Sequence, residues 1–304
     1  MTMNNVNSPA LVGAGAVFID DIVLPDGQTY MGQLGGGTTH AMMGAAIWDE
    51  RPGLCAYIGN DLPDHIRERL NAHLDTSGLV TLQFPQIRAW QIFEHDGTRT
   101  EIHRVQVVAP FVGGTRPSDL PDTYKSASAY YLLQDYDGIR VWRDAVDGLI
   151  VWEPNALVML PENRADFHNT LRECAVDLVS PNLEEARVIY GYLEPDKLVE
   201  MMLNDGAKAV ALRMGERGSI VANETGAWHH ISALDVMNLR DQTGAGNTYC
   251  GALTAGLMQG KSLHEAGVMG AVAASFCIET VGILDPATVS PGERDRRKRL
   301  LLGY

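Results

Sequence analysis

The sequence predicts an α/β fold: a central, mostly parallel sheet with helices on both faces, plus a small β-sheet lid. Three observations lead there. From Ser126 onward, short apolar runs at 129–133, 148–152, 176–179 and 209–212 alternate with amphipathic stretches near 162–174, 183–190 and 193–204. Strand–helix alternation at this spacing reads as a parallel sheet covered by helices. Residues 87–108 differ in kind, alternating apolar and polar around His95-Asp96-Gly97 as a two-stranded hairpin would. Thirty-one glycines, many at the ends of apolar runs, suit many short turns.

Taken in order, residues 11–19 read as a first buried strand. Residues 38–48 are small and apolar, a helix packed closely on a sheet. A strand at 56–58 leads through Gly59-Asn60-Asp61 into a polar helix ending near Leu74. The 87–108 hairpin joins residues 30–35 to form the lid. One domain is therefore expected over 1–304, with lid strands inserted at about 24–35 and 86–110. The basic run Arg294, Arg296, Arg297, Lys298, Arg299 is interleaved with Glu293 and Asp295 and reads as a solvated terminal helix rather than a nucleic-acid patch.

Composition narrows the function classes. The 304 residues are 45% hydrophobic and carry a net charge of −14, so a sizeable core is expected and nucleic acid or an acidic membrane is not the expected partner. The longest apolar stretch, 266–278, is shorter than the ~20 residues of a membrane span. Cys55, Cys174, Cys250 and Cys277 are far apart, with no C-x-x-C, and suggest neither disulfides nor zinc. The opening MTMNNVNSPA has no basic start and apolar middle, so a cytoplasmic protein is expected.

The most informative stretch is Asp241-Gln-Thr-Gly-Ala-Gly-Asn247, followed by a helix-like run from Thr248 to Met258. Gly244 and Gly246 let the backbone turn sharply where a helix begins. Backbone N–H groups and the positive end of the helix dipole would then converge on an anion such as a phosphate; alone, the same pattern fits a ligand-free tight turn. Upstream lie Gly15-Ala-Val-Phe-Ile-Asp20, Gly35-Gly36-Gly37-Thr38-Thr39-His40, Ser180-Pro-Asn182-Leu-Glu-Glu185-Ala186 and VALRMGERG over 210–218. A dinucleotide fingerprint at Gly13-Ala14-Gly15 fails, because its third glycine would fall on Phe18.

In this order, these five segments resemble the signatures of the PfkB/ribokinase family of sugar and nucleoside kinases. The resemblance implies a ribokinase-like fold that uses ATP and Mg2+ to phosphorylate a hydroxyl, primary by preference, of a small-molecule sugar or nucleoside. It implies that Asp20, Gly36, Gly37 and His40 meet that substrate, Asp20 as an acceptor-only group suited to paired hydroxyls. Residues Gly244, Ala245 and Gly246 would hold the developing anion, with Asp241 near metal and phosphates. Gly215 and Gly218 would shape the nucleotide pocket. Asn182 and Glu185 would order magnesium and its waters; the alternative is a helix start in which they form a capping box. Asp21, next to Asp20, should face the other way and be structural. Lid-mediated homodimers are common in the family, and a monomer is the alternative.

Two departures stand out. The family's last aspartate, its general base, is Asn247 here, and an amide cannot take that proton. Loss of a general base typically costs about 10²–10⁴ in rate. The substrate could already be ionised, His40 or Asp20 could supply the base, or the asparagine could be an introduced change that traps a complex. His40 stands where the family carries asparagine, either as a substrate ligand or as a packed helix-head histidine. Glu153-Pro154-Asn155 likewise replaces the commoner Asp-Pro-Asn. Trp90, Phe93 and Arg99 could cover a ring-bearing substrate or pack across the hairpin. The expected activity is thus a PfkB-type kinase; the alternative is a catalytically silent relative that binds ligand.

Overall fold

In the computed structural model, which describes residues 8–48, 51–96 and 98–304, the opening apolar run does not stay in one sheet. It forms β1 (Leu11–Ala16), breaks at Val17, and resumes as β2 (Phe18–Val23) in a second sheet. This corrects the single strand expected over 11–19. Val17 makes the last ladder bond, its N–H to Tyr57 O, and Ile19 N–H already bonds Ile87 O. One chain segment therefore delivers Asp20 to the boundary between the sheets.

The elements continue as β3 (Thr29–Gly35), α1 (Gly37–Ala46), β4 (Gly53–Ile58), α2 (Asp64–His73), β5 (Leu79–Thr81), β6 (Arg88–Phe93), β7 (Arg99–His103) and α3 (Ala109–Val112). Then come β8 (Ala129–Gln134), α4 (Tyr136–Ala145), β9 (Leu149–Pro154), α5 (Arg164–Cys174), β10 (Leu178–Val179), α6 (Leu183–Tyr190), α7 (Pro195–Asn204) and β11 (Ala209–Arg213). The chain ends through β12 (Ser219–Asn223), β13 (Trp228–Ile231), α8 (Ala245–Met258), α9 (Leu263–Cys277) and α10 (Pro291–Leu302).

Nine strands form the large sheet in the order β13-β12-β11-β10-β9-β8-β1-β4-β5. All its pairs are parallel except β11–β12 and β12–β13. That antiparallel edge follows from the Gly215–Arg217 turn, where Gly218 at φ +82° lets β11 fold straight back. The small sheet has the order β3-β2-β6-β7, and β6 and β7 form the hairpin around 95–97. Gly97 of the expected turn signal and residues 1–7 of the opening segment lie outside the described residues. The α/β architecture with a mostly parallel sheet and a small second one is as the sequence predicts.

Period-two alternation explains why both faces are covered. Leu11, Tyr131 and Ala211 pack on one side with α1, α8 and α9. Val12, Ala14, Tyr130, Leu132 and Leu212 pack on the other with Trp142, Phe167 and Leu198 of α4, α5 and α7. Among the described residues no helix is long and apolar enough to cross a membrane.

The close contact of α1 and α8 positions the site. A Cβ on Gly251 would fall 1.7 Å from Ala41 O, and one on Gly44 would fall 2.4 Å from Thr248 O. The two helices touch backbone to backbone, so their N-terminal ends, near Gly37 and Asn247, meet.

Candidate active site

The C-terminal ends of the parallel strands face the small sheet across a cleft of 1130 Å³. Ligands of open α/β sheets collect at that end. Asp20, Gly36, Gly37, His40, Asn182, Glu185, Gly215, Gly218, Gly244, Ala245, Gly246 and Asn247 all line it. The amides at the start of α8 and the acidic residue from β2 thus share one cavity.

Asp20 is 3% exposed, and burial pushes its carboxyl up to about 7. One hydrogen bond reaches it, from Gln91 Nε2 to Oδ1 at 3.3 Å. A Cβ on Gly35 would fall 1.9 Å from Asp20 Oδ2, so only glycine leaves room for this rotamer. Asp21 points to the opposite face, where it accepts from Gly32 N at 2.7 Å and pairs with Arg104.

Gly36 makes the turn into α1 at φ +98°. His40, one turn later, packs against Gly244, which caps α8 in the left-handed region at φ +71°. A Cβ there would fall 2.1 Å from His40 Nδ1. Both ring nitrogens of His40 are buried without a hydrogen-bond partner among the described residues. Burial lowers its pKa to about 3, so the ring is neutral near pH 7 and offers one donor and one acceptor.

Asp241 stands behind the α8 turn and does not line the cleft. Its Oδ1 accepts from Thr243 N and Oγ1 at 2.9 and 2.7 Å, and its Oδ2 accepts from Gly282 N at 2.8 Å. The carboxylate thus shapes the loop that presents residues 244–246. Gly215 and Gly218 sit at the far end, both at positive φ. Gly218 packs against Ile231 and Ala233, and Ala233, Leu234, Val236 and Leu239 add apolar wall to the cleft.

Asn182 and Glu185 form a reciprocal capping box on α6: Asn182 N donates to Glu185 Oε2 and Glu185 N donates to Asn182 Oδ1, both at 2.8 Å. Glu185 Oε1 takes no part in the box, and burial raises the carboxyl's pKa. One free carboxylate oxygen on the cleft wall fits a magnesium ion that keeps most of its waters. No cluster of three metal-ligating side chains occurs among the described residues.

Of the hairpin residues, Gln91, Arg99, Glu101 and His103 line the cleft. Trp90 does not; it alternates to the other face, with Arg104 5.1 Å above its ring, and Phe93 is also absent from the lining.

Three groups escape sequence reasoning as site residues: Glu153 and Arg213, which line the cleft, and Tyr131, fully buried beside Glu153. Arg213 Nη1 forms an ion pair with Glu153 Oε1 at 2.9 Å, and Nη2 donates to Ser180 O at 2.8 Å. Its Nη2 lies 3.9 Å from Glu185 Oε2, and a Cβ on Gly246 would fall 2.2 Å from Nη1. The Tyr131 hydroxyl donates to Glu153 Oε2 at 2.6 Å; burial and the adjacent Glu153 push its pKa well up. Asn247 Nδ2 donates to Glu153 Oε1 at 3.0 Å. Signals existed: an arginine closing a buried apolar strand, and a glutamate ending another.

Residues 153–288 match the pfkB family carbohydrate kinase description. Over that segment the chain is similar to the PfkB family. A cytidine kinase of Thermococcus kodakarensis is 27% identical over 271 residues, covering 84% of this chain and 91% of that one. Among solved structures, an Escherichia coli protein crystallised with ATP and Mg2+ superposes with a TM-score of 0.76 at 18% identity, covering 96% of this chain and 99% of that one. A Burkholderia thailandensis nucleoside kinase in complex with inosine gives 0.73 at 16% identity, covering 97% of each. The fold is ribokinase-like.

Proposed function

We propose that this protein transfers the γ-phosphoryl group of ATP to a hydroxyl, by preference primary, of a sugar or nucleoside. The observation that carries this reading is the shared cleft: the α8 amides of 244–246 open onto the cavity that also holds the half-satisfied carboxylate of Asp20. An anion hole facing an acceptor-only group suits a phosphoryl donor facing a polyol. The similarity to a cytidine kinase supports a nucleoside as one acceptor class.

In this reading Asp20 and neutral His40 hold acceptor hydroxyls while Gly36 and Gly37 let the backbone come close. The apolar end near Gly215 and Gly218 receives the nucleotide base. The transition state of phosphoryl transfer is loose, so positioning and fixed dipoles do most of the work. The bond from the acceptor oxygen to phosphorus forms as the bond from phosphorus to the β,γ-bridging oxygen breaks. ADP leaves with that electron pair. The hydroxyl proton leaves late, to an oxygen of the transferred group, because Asn247 cannot take it. Asn182 and Glu185 would hold magnesium through its waters, and the bound ion would neutralise charge on the phosphates.

Asn247 also favours a second reading, a catalytically silent ligand-binding relative. Incubation with ATP, Mg2+ and a panel of sugars and nucleosides, with ADP measured, separates the two. Acceptor-dependent ADP is expected; acceptor binding with no ADP would leave the silent reading.

A further inference from the structure

Two of the three positions that depart from the family motifs, Glu153 and Asn247, touch in space. Asn247 Nδ2 faces Glu153 Oε1 at 3.0 Å and the Tyr131 hydroxyl oxygen at 3.4 Å. A carboxylate only accepts, and the Tyr131 proton goes to Glu153 Oε2, so the amide nitrogen must be the atom turned to both. That leaves the carbonyl Oδ1 on the other side. No donor among the described residues bonds it, and Asn247 lines the cleft beside Gly37, where a Cβ would fall 2.9 Å from Nδ2. Glu153 is anchored in turn by Arg213 Nη1 and Tyr131. The titratable groups around it are Arg213, Tyr131, Glu185 and Cys250.

We propose that Glu153 is a positioning residue for phosphoryl transfer: it fixes the Asn247 amide so that a neutral carbonyl oxygen receives the acceptor hydroxyl at the head of α8. The proposal rests on the kinase reading above. It makes the two departures one coupled change, in which the carboxylate beside Arg213 comes from β9 rather than from α8. Glu153 itself does not face the substrate as a free base, because two hydrogen-bond donors and the Arg213 ion pair already occupy its oxygens.

The coupling is tested by exchange. In Asn247→Asp alone, a carboxylate oxygen stands where Nδ2 now lies, 3.0 Å from Glu153 Oε1, and two carboxylates at that range share a proton. ADP formation by Asn247→Asp is expected to stay within about threefold of wild type at pH 7 and to climb as pH rises. The double variant Asn247→Asp/Glu153→Gln has a free base and should exceed wild type by about 10²-fold or more. Glu153→Gln alone should lower kcat about tenfold while the KM for ATP holds. Equal rates for Asn247→Asp with and without Glu153→Gln, or an unchanged kcat in Glu153→Gln, overturn the proposal and leave the kinase reading intact.

Thermal melts from pH 5.5 to 8.5 read the coupling without turnover. In Asn247→Asp one carboxyl has its folded pKa raised, so stability is retained at low pH and lost as pH rises. The Tm deficit should therefore widen with pH and shrink when Glu153→Gln is added; a pH-independent deficit overturns the coupling. If neither wild type nor the double variant forms ADP with any acceptor, the kinase reading fails, and the transfer role of Glu153 fails with it.

Discussion

Asp20 and Glu153 line the same cleft and are 3% and 5% exposed, yet their surroundings are opposite. Glu153 is ion-paired with a guanidinium and accepts hydrogen bonds from a phenol and an amide, all within 3.0 Å. Asp20 accepts one bond, at 3.3 Å, from Gln91, whose own Oε1 is buried without a partner. Both ring nitrogens of His40 are unpaired in the same cavity. Buried polar groups in folded proteins are nearly always satisfied. The unpaired groups around Asp20 suit completion by the proposed acceptor, whereas the Glu153 carboxylate is satisfied from within the protein. Burial alone does not separate the two; hydrogen-bond saturation does.

The hardest way to break the contrast is to remove the saturated member. Glu153→Ala leaves the buried Arg213 without its short ion pair, and deleting one partner of a buried pair costs about 3–5 kcal/mol. Urea unfolding should show that loss at pH 7. A cost below about 1 kcal/mol would mean that solvent already compensates Arg213 and that Glu153 is not scaffold.

Asp20→Asn should do the reverse. The folded pKa of Asp20 is raised to about 7 from 3.8, so its ionised form opposes folding. Stability is fully present below the unfolded value and is lost as pH rises through about 7. The substitution should therefore stabilise the chain at pH 8, by at most about 4 kcal/mol for a shift of this size, and do little at pH 4. Acceptor binding should weaken in the same variant. Melts at the two pH values read the first effect and acceptor titration the second; equal effects at both pH values would show that Asp20 is better solvated than its burial suggests.

What the sequence revealed follows the same division. That Asp20, His40 and residues 244–247 would share one cleft was legible because they sit in short local motifs whose spacing survives in one dimension. The parallel sheet was legible because its strands are apolar runs separated by helices of ordinary length. Arg213 and Tyr131 were not, since VALR and AYYLLQ read as plain buried strands, and their polar ends acquire meaning only when β8, β9 and β11 lie side by side. The break at Val17 was hidden because it falls inside the unbroken apolar run 11–19; only the partner strand changes there. The antiparallel edge after Gly218 was missed because a hairpin return and a loop begin alike.

The smallest effect concerns Asn182 and Glu185, where scaffold and ligand roles fall on one pair. The capping box satisfies two backbone N–H groups at the head of α6, and losing an N-cap side chain costs about 1 kcal/mol. Asn182→Ala should show that cost in a melt. Glu185→Gln keeps an oxygen to accept from Asn182 N, so it should cost less than Asn182→Ala, while removing the charge that a magnesium ion would feel. The Mg2+ concentration for half-maximal ADP formation should then rise severalfold in Glu185→Gln. If that midpoint does not move, the free Oε1 has no ion to serve, and the pair is a helix cap that happens to face the cleft.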